Sequence, residues 1–175
     1  MEIRKTNIEE LDKVMQIYQR ARHFMAEHGN PTQWGNSKPS KEQIEQDILT
    51  QKSYVCVDDG ELVGVFYFAK EEDPTYQKIE YGKWLNTNPY AVVHRIASAG
   101  IVKGVGAFCL EWAMKHTENL RIDTHKDNIV MQNMLKKCGF VHCGTIYLED
   151  GEQRMAFHKI KNKKESGENN GSKKS

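Results

Sequence analysis

The chain has 175 residues, 38% of them apolar and spread through positions 1–160, with 25 basic and 24 acidic side chains. That suits one domain with a single sizeable core; no run approaches the ~18 apolar residues of a membrane helix, and the near-neutral charge argues against a protein living on phosphate-backbone contacts. Cys56, Cys109, Cys138 and Cys143 are scattered without a C-x-x-C pair, so neither zinc-ligand spacing nor a disulfide framework is expected, and the cytoplasm is the expected compartment.

Met1-Glu2-Ile3-Arg4-Lys5 opens into an alternating strand over Ile3–Thr6 rather than a secretory signal. Asn7 suits an N-cap with Glu9 and Glu10 behind it, and Leu11, Val14, Met15, Tyr18 and Arg22 recur at helical spacing to about Glu27. Gly29-Asn30-Pro31 breaks that helix, and Thr32–Pro39, with Gln33 and Trp34, reads as a loop. Ser40 with Gln43 has capping-box spacing, and Ile44, Ile48 and Leu49 are expected to form the second helix's apolar face. A hairpin follows: Tyr54–Val57, a turn at Asp58-Asp59-Gly60-Glu61, and Leu62–Ala69. Thr75–Pro89 has no clear period and is expected to be an aromatic-bearing loop. Ala91–Ser98 is a strand, Gly100–Gly106 a glycine-punctuated turn into a helix ending near His116, and Leu120–His125 another strand. Asp127 or Asn128 starts a helix that Gly139 ends after Lys137, and Phe140–Leu148 and Gln153–Ile160 are two strands around Asp150-Gly151. The β-α-β unit from Ala91 to His125 implies a parallel pair inside a mixed, largely antiparallel sheet, an α/β domain with helices over it. After Ile160 the chain is polar, so 1–160 is the expected domain and 161–175 a solvated, disordered tail.

The most informative stretch is Ile96-Ala97-Ser98-Ala99-Gly100-Ile101-Val102-Lys103-Gly104-Val105-Gly106-Ala107-Phe108. A strand that runs through a glycine turn into a helix can aim several backbone N–H groups at a phosphate, with the helix dipole behind them. A Walker A loop would need Lys-Ser/Thr after the glycine, and a dinucleotide fingerprint would need a glycine where Cys109 stands. Either the turn binds another phosphate ligand or it is a tight connection that binds nothing.

Here the chain resembles the GNAT superfamily of acyl-CoA-dependent N-acyltransferases. Gly104 and Gly106 match the Gly-x-Gly/Ala of the family signature, Asn128 opens the next helix, and Cys138-Gly139-Phe140 matches a frequent Gly-Phe entry into the following strand. The resemblance spans roughly 1–160. It implies acetyl-CoA as co-substrate, its pyrophosphate held by Val102, Lys103, Gly104, Val105, Gly106 and Ala107, its pantetheine arm along Ile96, Ala97 and Ser98, and Asn128 beside it. Ile101 stands where the signature has Arg or Gln. Leu135 stands where many members carry a tyrosine that protonates the leaving thiolate, so that role has no carrier here.

Transfer to an amine requires removal of a proton and stabilisation of an oxyanion. Asp123 and His125 alternate onto one side of a strand at its C-terminal end, where open sheets place ligands. His125 is therefore a candidate base with Asp123 orienting it, or else a loop-edge histidine bonded to Asp127 or to backbone. His94, beside Arg95, is a second catalytic candidate or half of a packed pair, with Glu80 and Tyr147 behind. Trp34, Tyr81 and Trp84, with Gln33 and Tyr90, are candidate acceptor-pocket walls or caps on the core. The expectation is an N-acetyltransferase acting directly on a small-molecule or peptide amine, without nucleic-acid or membrane partners, its oligomeric state open to a homodimer. The alternative is an acyl-CoA-binding module with weakened chemistry.

Overall fold

The computed structural model describes residues 1–162. Its elements are β1 (Glu2–Lys5), α1 (Leu11–Glu27), α2 (Lys41–Leu49), β2 (Ser53–Asp58), β3 (Glu61–Ala69), β4 (Ala91–Ser98), α3 (Val105–Lys115), β5 (Asn119–Thr124), α4 (Ile129–Lys137), β6 (Val141–Tyr147) and β7 (Gln153–Ile160). The expected order holds. The polar tail, from residue 163 on, lies outside the described residues.

Local chemistry accounts for the element ends. The backbone N–H of Asn7 donates to Glu10 Oε1 at 2.8 Å, and a short turn over Ile8–Glu10 leads into α1. Ser40 Oγ caps α2 by accepting from Gln43 N at 3.1 Å, and Asn128 Oδ1 caps α4 by accepting from Met131 N at 3.0 Å. Leu49 departs from the expected apolar face: it is 60% exposed, and the buried members of α2 are Ile44, Asp47 and Ile48.

The seven strands run in the order β1-β2-β3-β4-β5-β7-β6, antiparallel except for β4 with β5. One face carries α3 and α4 over Phe66, Phe68, Leu120 and Phe157. The opposite face has two separate apolar clusters. In one, Val14, Ile17 and Tyr18 of α1 and Ile44 and Ile48 of α2 cover Val55 and Val65. In the other, Tyr76 from the β3–β4 connection covers Tyr67, Val92, Ile146 and Ala156. That connection is pinned throughout. Trp84 Nε1 donates to Tyr76 O at 2.8 Å, the Arg121 guanidinium lies between the rings of Trp84 and Tyr90 at 4.3 and 4.0 Å, and Glu80 pairs with Thr145 across a β-bridge. The space between the two clusters becomes the site.

Candidate active site

The parallel pairing of β4 and β5 covers only Ala91 with Leu120 and Val92 with Arg121. Beyond those residues the strands part, and the β5-facing backbone groups of Val93–Ser98 have no strand partner there. β4 also bulges: Val65 faces Ala97 and Tyr67 faces His94, so Phe66 alone opposes Arg95 and Ile96. Arg95 takes the extra length at φ +49°, a conformation costing roughly 1–3 kcal/mol in a non-glycine residue. Three neighbours fix it. Buried Asp47 of α2 accepts from Arg95 Nε at 2.7 Å and from Nη2 at 2.9 Å. The guanidinium stacks over Tyr67 at 4.6 Å, and the Tyr18 hydroxyl donates to Arg95 O at 2.7 Å.

A cavity of about 780 Å³ opens over this split, reached by Trp34 of the α1–α2 loop, His94 and Ile96 of β4, Thr124 of β5 and Asp150 of the β6–β7 turn. His94 is the histidine that lines it. His94 Nε2 lies 2.8 Å from Asp73 Oδ2, while Nδ1 is 3.9 Å from Asp123 Oδ2, too far for a hydrogen bond. The Tyr76 hydroxyl donates to Asp123 Oδ2 at 2.6 Å. Burial alone would raise the Asp73 carboxyl, but hydrogen bonds from His94 and Thr75 outweigh it and hold the group down to about 2. Asp73 is then ionised at neutral pH and accepts from His94 Nε2, which turns Nδ1 toward Asp123. Glu71 is held low against its own burial by Tyr67 and Lys52.

At the far end of β4, Gly104 adopts φ +80° as the N-cap of α3, and a Cβ there would meet nothing within 4 Å. The first helical bond runs from Phe108 N to Gly104 O. The N–H groups of Val105, Gly106 and Ala107 therefore precede the helical ladder. These amides stand at the positive end of an 11-residue helix, an arrangement able to bind an anion. Gly106 has a different reason to be glycine: a Cβ there would sit 2.6 Å from Met134 Sδ of α4. Ile101 is 65% exposed, so the missing Arg or Gln of the signature leaves no hole in the fold.

The candidate residues from the sequence separate. Asp123 joins His94 and Tyr76 rather than His125, which corrects their expected pairing: β5 ends at Thr124, and the chain turns before His125. Buried His125 accepts at Nδ1 from Asp127 N at 3.0 Å, lies 3.3 Å from Thr32 Oγ1 through Nε2, and is lowered by burial and then by Arg154. Asn128 lines the cavity, but beyond its cap it spends its amide on Gln33 Oε1 at 3.0 Å. Trp34 lines the cavity as expected, whereas Trp84 packs on Tyr76 and Arg121, and Tyr81 is 86% exposed on the outer loop. Tyr147 donates to Glu80 at 2.9 Å, and neither lines the cavity. Leu135 is wholly buried. Asp73, Tyr76, Asp47 and Thr124 escaped the sequence reading. Only Asp73 left a signal, the Asp-Pro-Thr turn in which Oδ1 accepts from Thr75 N at 2.9 Å.

Residues 11–140 match the family model described as "Acetyltransferase (GNAT) family". Among curated proteins, none matches the chain. A GNAT-family acetyltransferase from Streptococcus agalactiae 2603 is 32% identical, with a TM-score of 0.84 over 92% of this chain and 95% of its own. A GNAT-family acetyltransferase from Listeria monocytogenes 4b F2365 has a TM-score of 0.67 at 19% identity, covering 91% of this chain and 94% of its own. A Salmonella typhimurium protein solved with its cofactor acetyl-CoA reaches 0.61 at 10% identity, over 92% of this chain and 94% of its own. The last two speak for the fold alone.

Proposed function

Because this chain belongs to the GNAT acetyltransferase family, we propose that it passes an acetyl group from acetyl-CoA directly to the amino group of a small-molecule or peptide acceptor bound in the cavity. Residues 1–160 are the catalytic domain in this reading, and its four free thiols suit the reducing cytoplasm.

Acetyl-CoA supplies the acyl carbon already activated as a thioester. The amides of Val105, Gly106 and Ala107 take the pyrophosphate, with Val102, Lys103 and Gly104 shaping the turn in front of them. Ile96, Ala97 and Ser98 offer the pantetheine arm the backbone groups that β5 leaves unpaired, and a buried backbone group needs such a partner. The β4 amide at Ile96 or Ala97 serves the oxyanion. Asn128 positions the cavity wall through Gln33.

The observation that carries the chemistry is His94 between two carboxylates at the strand split. Asp73 fixes the ring through Nε2, and Nδ1 accepts the proton that the acceptor amine must lose. Asp123, itself held by Tyr76, faces the position that proton would take. With Leu135 inside the core, the leaving sulfur takes its proton from solvent.

The test is acetyl transfer from acetyl-CoA to a panel of amines by the parent, His94→Gln and His125→Ala. Loss of a general base costs roughly 10²–10⁴-fold in kcat, and its acidic limb leaves the pH profile. We expect that of His94→Gln and a smaller effect of His125→Ala. A His94→Gln enzyme with the parent's rate and pH profile would remove His94 from the mechanism. The second reading, an acyl-CoA-binding module, draws on Leu135, and it predicts acetyl-CoA binding with no turnover of any amine.

A further inference from the structure

The walls of the cavity have an uneven charge. Glu71, Glu72, Asp73, Asp123, Asp150 and Glu152 line it, against Lys38, Arg95 and Arg154. Two of those three cations are already engaged: Arg95 by Asp47, and Arg154 by Glu152 at 2.8 Å. Glu71 in turn is paired with Lys52 at 2.9 Å, and Asp73 and Asp123 belong to His94. Glu72 on the β3–β4 connection and Asp150 on the β6–β7 turn have no cationic partner among the described residues. Both are exposed, so they form the rim.

A second observation lies at the floor. Thr124, 1% exposed at the end of β5, lines the same cavity, and its hydroxyl oxygen has no hydrogen-bond partner. A buried hydroxyl left unpaired costs about 1–3 kcal/mol, so a polar ligand group able to hydrogen-bond with it is favoured. The rim carboxylates do not suit an anionic group beside the amine.

Resting on the acetyl-transfer reading, we infer that the acceptor is a small di- or polyamine. One amino group gives up a proton to His94 and forms the amide as the thioester C–S bond breaks. A second stays an ammonium, held by Glu72 and Asp150 when the reacting end points inward. An ammonium carries three donors and no acceptor, which matches the rim carboxylates. A free amino acid would instead bring its carboxylate into this field.

Equilibrium binding by calorimetry and acetylation rates, each at low and high salt, are measured for 1,4-diaminobutane, n-butylamine, free alanine and an alanine-leading tripeptide. The diamine is expected to bind, and to be acetylated with a kcat/KM at least tenfold above n-butylamine, with the advantage shrinking at high salt as screening requires. In a Glu72→Gln/Asp150→Asn variant, which touches only exposed side chains, the ratio should fall toward one at an unchanged melting temperature. Preference for n-butylamine, alanine or the tripeptide would overturn the diamine assignment while leaving acetyl transfer in place. An unchanged ratio in the double variant overturns it too. If no amine is acetylated, the acetyl-transfer reading fails, and the calorimetric diamine preference still decides the charge argument: equal binding of diamine and monoamine overturns it.

Discussion

Single residues here answer to two masters, and the structure tells them apart. Gly104 and Gly106 look alike in the sequence, both inside a phosphate-binding signature. Gly104 has φ +80° and open space where a Cβ would stand, while a Cβ at Gly106 would meet the thioether end of Met134 of α4 at 2.6 Å. Gly106→Val should therefore lower the melting temperature as well as coenzyme A affinity, and adding Met134→Ala should restore part of the stability. Gly104→Ala meets no atom and should cost only about 1 kcal/mol, the usual strain of a side chain at positive φ. Calorimetric melting of the three variants checks this. Equal stability of Gly106→Val and the parent would mean that α4 yields freely. A larger effect belongs to Asp47. It is 3% exposed and holds the strained Arg95 with two hydrogen bonds, so Asp47→Ala leaves a guanidinium without its counter-charge beside the β4 bulge. Breaking one partner of such a pair costs roughly 3–5 kcal/mol. Urea unfolding should show that loss, and Asp47→Asn, which keeps one acceptor, should show less.

At the scale of elements, the order of strands and helices was legible because each segment carries its own period or cap: Ser40 with Gln43, Asn128 before α4, Gly139 after it. The glycine turn into α3 was legible too, since it is built from consecutive residues. The acid–histidine group was not. Asp73, Tyr76, His94 and Asp123 come from three segments, and only the sheet register brings them together, through Tyr67 opposite His94 and the parting of β4 from β5. His125 failed to join Asp123 for a local reason: the strand stops one residue earlier than the alternation implied. The β3–β4 connection hid in the same way. Its aromatic residues lack a period because they pack one by one onto β5 and β7: Trp84 on Arg121 and His158, and Leu85 N donating to His158 Nδ1 at 3.2 Å. That connection carries Asp73 at one end, so loosening it should reach the site. Trp84→Ala should cost about 3 kcal/mol, or roughly 6–12 °C in melting temperature. It should also lower kcat more than a surface substitution such as Tyr81→Ala. Equal rates for the two variants would separate the clamp from catalysis.

For the molecule as a whole, the buried histidines set how stability responds to acid. His158 is fully buried, accepts from Leu85 N at Nδ1, and places Nε2 2.9 Å from Asn119 Oδ1. Burial first, and the nearby Arg121 second, push its pKa down to about 4. An unfolded chain protonates the same ring near ~6.5. Between those values the unfolded state binds a proton that the folded state refuses, so the fold loses stability as the pH drops from about 6.5 to about 4, and this group takes no more below that. The full span corresponds to about 3 kcal/mol. His125 is lowered as well and acts in the same direction. The carboxylates work lower on the scale: Asp73, held at about 2 by His94 and Thr75 against its burial, surrenders its contribution only as the pH falls below ~4. Two successive losses are therefore expected, one owned by histidine and one by carboxylate. Urea midpoints measured from pH 7.5 to pH 3 should drop for the parent between pH 6.5 and 4. His158→Gln should start lower at pH 7.5, because one of the two ring contacts is lost, yet fall less across that window. Parallel curves for the two proteins would assign the acid sensitivity to other groups, with His125→Ala the variant to compare next.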